Sequence, residues 1–170
     1  LLNENPYALD YWIGPEKTKF DFLNGLNAIE VKTSKKTEGR SVEIHGIDQL
    51  EPHNGGSLHL LYLKIEEIES GESIPCIVED LIDITVNTLE TYKLLDKLFA
   101  VGYEHGLSDK YEPFKYQIRE ERLYVVDNDF PKITLDSFKN GAMPNNVSDI
   151  NYKINLTGEP PEPLSENGYS

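Results

Sequence analysis

Three residues within FDFLNGLNAIEVKTS, positions 20–34, are of types that do chemistry together: Asp21, Glu30 and Lys32. Residues i and i+2 of a strand project from one face. Glu30 and Lys32 therefore share a side, with Ile29 and Val31 on the other. Asn24-Gly25 is the strongest short hairpin signal here, because both central residues of a type I′ turn need φ > 0. A two-residue loop at 24–25, or a four-residue loop over 24–27, brings Asp21 to the face of Glu30 and Lys32. A three-residue loop sends it to the other side, since a one-residue slip flips every side chain. Two neighbouring carboxylates repel, and in a cleft one protonates unless a cation intervenes. A hard divalent ion removes the conflict: Mg²⁺ takes one or two carboxylates together with waters and phosphate oxygens. Such an ion acidifies bound water and clamps a phosphate. The trio thus suits phosphodiester hydrolysis, with Lys32 holding the attacking water or offsetting charge on the phosphorane. The bland alternative is the solvent face of a half-buried strand, and Asp…Glu-x-Lys also arises by chance.

Further candidates lie just downstream. Lys35, Lys36 and Arg40, opposed only by Glu38, follow the Lys32 strand and form the one clearly basic segment of an acidic chain. Phosphate contacts from such a loop give salt-dependent affinity, whereas a short charge run is otherwise a solvated turn. Gln49 sits in a turn after the third strand, where capping or surface exposure is its ordinary role. His45 could contact DNA or act as a base, but a lone histidine at a strand end is usually structural. His53, His59 and His105 show no ligand spacing and Cys76 has no partner thiol, so no zinc site is indicated. There is no glycine-rich phosphate loop.

The elements that must position these residues follow from pattern. Residues 18–23 and 27–34 read as a strand pair and 41–45 as a third strand. A helical turn fits 46–52. LHLLYLKI, 58–65, is nearly all apolar, as expected of a central strand covered on both faces, and 71–75 breaks it. Residues 77–102 read as helix, divided near Asn87, a candidate N-cap, and stopped at Gly102. Strand character returns at 114–120, 122–127 and 152–156. Strands, a helical pair and more strands suit an α/β or α+β domain with a mixed sheet and helices packed on it. The opening LLNENPYALDYW resembles the end of a helix stopped near Asn5-Pro6, and a start at Leu1 points to the C-terminal part of a longer protein. The stretch from 158 to 170, rich in proline and glutamate, reads as a disordered tail, leaving 1–157 as the domain.

The 170 residues include 30 acidic and 16 basic ones, for a net charge of −14. This balance argues against a general nucleic-acid binder, which usually carries a high pI. It admits simple solubility or mimicry of DNA by carboxylates. No apolar run approaches the length of a membrane span. One cysteine and no charged-then-apolar leader point to a reducing cytoplasm.

The 20–34 stretch resembles the core of the PD-(D/E)XK nuclease superfamily, an Asp near the end of one strand followed by Glu-x-Lys in the next. Asp21, Glu30 and Lys32 match these positions one by one, and Phe20 stands in the place of the nominal proline. GIDQLEP (46–52), LHLLYLKI, the helical pair, RLYVVDNDFPKIT (122–134) and DINYKINL (149–156) extend the resemblance over roughly residues 8–157. They are similar to a bacterial family of PD-(D/E)XK motif proteins found in restriction and phage-defence loci. The resemblance implies a restriction-endonuclease-like mixed β-sheet flanked by helices and Mg²⁺-dependent DNA cleavage, with Mn²⁺ as substitute. It implies that Asp21, Glu30 and the backbone carbonyl of Val31 hold the metal and that Lys32 activates water. Lys35, Lys36 and Arg40 would meet phosphates, and Gln49 would support the site from behind. DNA is the expected partner, with defence-system proteins and a second copy of the chain as further ones. The superfamily often adds an acidic residue on a preceding helix. Glu4 is the only glutamate before Asp10, beside a helix-ending Asn-Pro, and the role is not carried onto it. Two other readings stand beside the nuclease: an inactive scaffold within a defence complex, and an acidic DNA mimic.

Overall fold

A computed structural model describes residues 2, 4, 5, 7–158 and 161–168. The chain forms two compact units, each built from two separated stretches: 1–23 with 66–117, and 24–65 with 118–170. Seven strands and two α-helices occur among the described residues: β1 (Phe22–Asn24), β2 (Asn27–Ser34), β3 (Ser41–His45), β4 (Ser57–Ser73), α1 (Ile74–Asp83), α2 (Thr88–Ala100), β5 (Lys115–Val125), β6 (Asn151–Asn155) and β7 (Ser165–Gly168). Five strands form one mixed sheet in the order β1-β2-β4-β5-β7, and β3 with β6 forms a small second sheet. The class is α+β, as the sequence led one to expect.

In the second unit, β2 runs parallel to β4, with Ala28 opposite Leu58, Glu30 opposite Leu60 and Lys32 opposite Tyr62. The apolar run of β4 makes it the central strand. Leu58, Leu60 and Tyr62 are fully buried, together with Ile44, Leu50, Tyr124 and Leu156. Burying each leucine contributes roughly 2 kcal/mol. The small sheet is antiparallel, with Glu43 opposite Lys153 and His45 opposite Asn151. Its inward row, Val42, Ile44 and Ile154, is buried.

In the first unit, two side-chain caps set where the helices start. The Ser73 hydroxyl accepts the Cys76 N–H ahead of α1, and the Asn87 side chain accepts the Glu90 N–H ahead of α2. Each satisfies a donor that the first helical turn leaves open. Val78 of α1 and Leu94 of α2 face inward. Gly102, at φ +96, follows the end of α2, in the position the sequence pattern assigned to it.

Several elements differ from the sequence reading. The hairpin bend falls on Gly25-Leu26, one residue later than Asn24-Gly25. β4 continues through Gly71 to Ser73, because Gly71 lies so close to the Tyr116 backbone that a Cβ there would meet its carbonyl carbon at 2.6 Å. β5 is one long strand. Near the N-terminus, Ala8–Tyr11, which follows the expected stop near Asn5-Pro6, forms a 3₁₀ turn. Leu1, Asn3 and Pro6 of the expected helix end lie outside the described residues. The tail reading needs correction for residues 165–168, which pair antiparallel with β5. The Leu164 N–H donates to the Leu123 carbonyl at 2.7 Å, and Arg122 pairs with Glu166 at 2.6 Å. Among the described residues no helix is long and apolar enough to cross a membrane.

Candidate functional site

Glu30 occupies an unusual place for a carboxylate. It lies on the β2 row with buried Ala28, opposite the buried Leu60, and is only 5% exposed. A buried charge is costly unless it is paired and hydrogen-bonded. Lys32, two residues along the same face, brings its ammonium to 2.8 Å from Glu30 Oε1. Gln49 Nε2 donates to the same oxygen at 2.9 Å. The Gln49 amide has its orientation fixed, because its Oε1 accepts the His45 N–H at 2.9 Å, leaving the NH₂ end for Glu30. Gln49 is delivered by a single turn closed by a hydrogen bond from the Glu51 N–H to the Asp48 carbonyl. Glu30, Lys32 and Gln49, three residues the sequence singled out, are thus brought together within the second unit.

Lys32 also lines a groove of about 600 Å³, with Lys35 and Lys36 on its own side and Glu43, His45 and Lys153 from the small sheet. Four lysines line it, and among the described residues Glu43 is the one carboxylate in the lining. Lys36 Nζ donates to Ser41 Oγ at 2.7 Å. Lys153 pairs with Glu43 at 2.7 Å, and that hydrogen bond, reinforced by the lysine's charge, holds the Glu43 carboxyl below its ordinary value. His45 Nδ1 lies 3.3 Å from Asn151 Oδ1. Lys153 was not among the residues read from sequence. Its alternation with buried Ile154 marks it as outward-facing, but nothing local shows that its strand lies beside β3.

Residues 1–157 match the model of the family described as "Putative PD-(D/E)XK family member, (DUF4420)". The chain belongs to this family. Neither a curated protein nor a solved structure matches it.

In this PD-(D/E)XK family member Asp21 belongs to the first unit, just before β1. Its backbone carbonyl accepts the Ile13 and Gly14 N–H groups at 2.9 and 3.0 Å. A Cβ on Gly14 would meet Asp21 Oδ1 at 2.9 Å and Asp21 Cα at 3.3 Å. Gly14 therefore lets the chain close against Asp21, a role the sequence reading missed although a glycine before a proline is a visible signal. Val31 is half-buried between the two charged residues of β2 and lines the groove.

Arg40 corrects an expectation. Rather than offering its guanidinium to a phosphate, it donates to the Leu156 carbonyl, the Thr157 carbonyl and Glu120 Oε1, each at 2.9 Å. Arg122 holds the same Glu120 oxygen. Burial pushes the Glu120 carboxyl upward, but the hydrogen bonds and charges of the two arginines outweigh it and leave it below the ordinary value. With its donors engaged inside the fold, Arg40 is a structural residue.

The donor chemistry decides which ion the site could take. Among the described residues no group of three or more His, Cys, Asp or Glu side chains converges on a point. A hard ion that keeps most of its waters needs only one or two carboxylates, and Glu30 is the carboxylate that the β2 row carries.

Proposed function

We propose that this PD-(D/E)XK family member is a Mg²⁺-dependent DNA endonuclease, with Mn²⁺ able to substitute. The observation that carries the reading is Glu30, a carboxylate kept on an apolar row at 5% exposure and joined through Lys32 to a basic groove. Desolvated charge clusters of this kind concentrate at functional sites. Glu30 and Asp21 are the proposed metal ligands, with the Val31 carbonyl. The part of Asp21 rests on the sequence resemblance, in which it matches the first acidic position of the motif.

When bound, the ion supplies acidified water and neutralises phosphate charge. The chain's own residues do the positioning. Gln49 stops the Glu30 carboxylate from rotating. Lys32, paired with Glu30 and lining the groove, orients water and offsets charge on a phosphate oxygen. Lys35 and Lys36 meet the DNA backbone. A restriction or phage-defence setting, defence-protein partners and a homodimer complete the proposal and rest on the sequence resemblance, while a cytoplasmic location rests on the single cysteine, Cys76.

The test is conversion of supercoiled plasmid to nicked or linear forms. Cleavage is expected with Mg²⁺, none with EDTA, and none for Glu30→Gln or Lys32→Ala when circular dichroism shows the fold intact. Full activity in either variant would sink the assignment. A second reading, a nuclease-like scaffold, is favoured by one observation: Lys32 already satisfies Glu30 directly at 2.8 Å. A scaffold gives no saturable heat on Mn²⁺ titration.

A further inference from the structure

We infer that the small β3–β6 sheet is the second wall of the DNA groove, and that Lys153 binds a backbone phosphate there in competition with Glu43. The inference rests on the nuclease reading for its ligand. The strands alternate cleanly. Val42, Ile44 and Ile154 point into the core, so Glu43, His45 and Lys153 form the opposite row, and that row lines the groove. Lys32, Lys35 and Lys36 line it from the β2 side and the loop that follows. One wall therefore presents three lysines and the other presents Lys153, and a polyanion lying between them would be contacted from two sides.

Glu43 is the exception that gives the inference its signature. Its side chain and that of Lys153 are 58% and 64% exposed, and they sit directly opposite each other in register. An exposed Lys–Glu pair is worth little, so a phosphate can take the ammonium from the carboxylate at small cost. A plain cross-strand pair would serve only the sheet. The two roles differ in sign: removing the Glu43 charge strengthens phosphate binding in the first case and leaves it unchanged in the second.

The experiment is fluorescence anisotropy of a fluorescein-labelled duplex with the 170-residue chain in EDTA, over a series of salt concentrations. Lys153→Gln is expected to weaken binding roughly tenfold near 0.1 M salt, the effect of one lost phosphate contact, and to lower the salt slope by about 1. Glu43→Gln is expected to tighten binding severalfold. Both side chains are exposed, and matching melting curves check that the variants fold. If the wild type binds and both variants bind as it does, the inference is overturned while the nuclease reading stands. If the variants shift binding in these opposite directions but Mg²⁺ produces no cleavage, the wall stands and the nuclease reading falls. No salt-sensitive binding by the wild type overturns the inference.

Discussion

Two glutamates are buried to nearly the same degree, Glu30 at 5% exposure in the second unit and Glu90 at 4% in the first, and each pairs with a lysine. Their settings differ. Glu90 stands in the first turn of α2, where a negative charge is favoured by the helix dipole. Lys93 is its neighbour one turn on, at 3.0 Å, and Lys93 also reaches Asp10 at 2.7 Å. Hydrogen bonds to Asp10 and then Glu90 hold the Lys93 ammonium above its ordinary value. Glu90 Oε2 is buried with no partner among the described residues. Local helix chemistry accounts for the paired Oε1 of Glu90. No such account exists for Glu30, which stands on a strand among apolar neighbours and is gripped by a glutamine whose orientation is fixed from a separate turn. Burial of a carboxylate is therefore not by itself a site. A clamp that fixes its direction, beside a groove of cations, is what sets Glu30 apart.

The sharpest way to break this contrast is to neutralise each glutamate in turn. Glu30→Gln is expected to reduce plasmid cleavage by at least about 100-fold, the scale of losing a group that works on the reacting atoms. Glu90→Gln should leave the cleavage rate within about twofold and shift stability by only about 0.5 kcal/mol, the scale of an i,i+3 helix pair. Equal losses in the two variants would erase the distinction.

The next test targets the clamp. Gln49→Met removes the hydrogen bonds to both Glu30 and the His45 N–H. A roughly 10- to 100-fold drop in Mn²⁺ affinity or activity is expected, as for residues that orient a metal ligand. Unfolding in urea should reveal a cost of about 1–3 kcal/mol from groups left unsatisfied. Unchanged affinity would leave Gln49 with a packing role only.

How far these features are legible in sequence depends on whether the deciding neighbour is local. Alternation in residues 27–34 gives β2 and the shared face of Glu30 and Lys32. Asn87 and Gly102 mark the ends of α2. Arg40 reads as a phosphate contact because its sequence neighbours are lysines, yet its fate is set by Leu156, Thr157 and Glu120, 80 or more positions away. Lys153 escapes for the same reason: its groove exists only once β6 pairs with β3. The strand at 165–168 reads as tail because Ser165, Glu166, Asn167 and Gly168 carry no apolar pattern. What holds it is backbone pairing with β5 and the Arg122–Glu166 ion pair.

Glu120 is a third paired carboxylate, held by Arg40 and Arg122. Its folded-state pKa lies below the ordinary value. Its stabilisation is therefore present above the unfolded-state pKa and lost as pH falls through the folded one. Urea unfolding across acidic pH should show the wild type losing stability faster than Glu120→Gln as pH drops, with no effect of the variant on cleavage chemistry. Parallel profiles would contradict the linkage. The smallest effect is expected from Asn87→Ala, which removes the α2 cap for about 1 kcal/mol and leaves cleavage unchanged. A larger thermal shift would mean that Asn87 does more than cap.

The most direct test of the central claim is calorimetric titration of the wild type and Glu30→Gln with Mn²⁺. The wild type is expected to give a saturable heat that disappears in the variant. No saturable heat in the wild type, or an unchanged isotherm in Glu30→Gln, would contradict it.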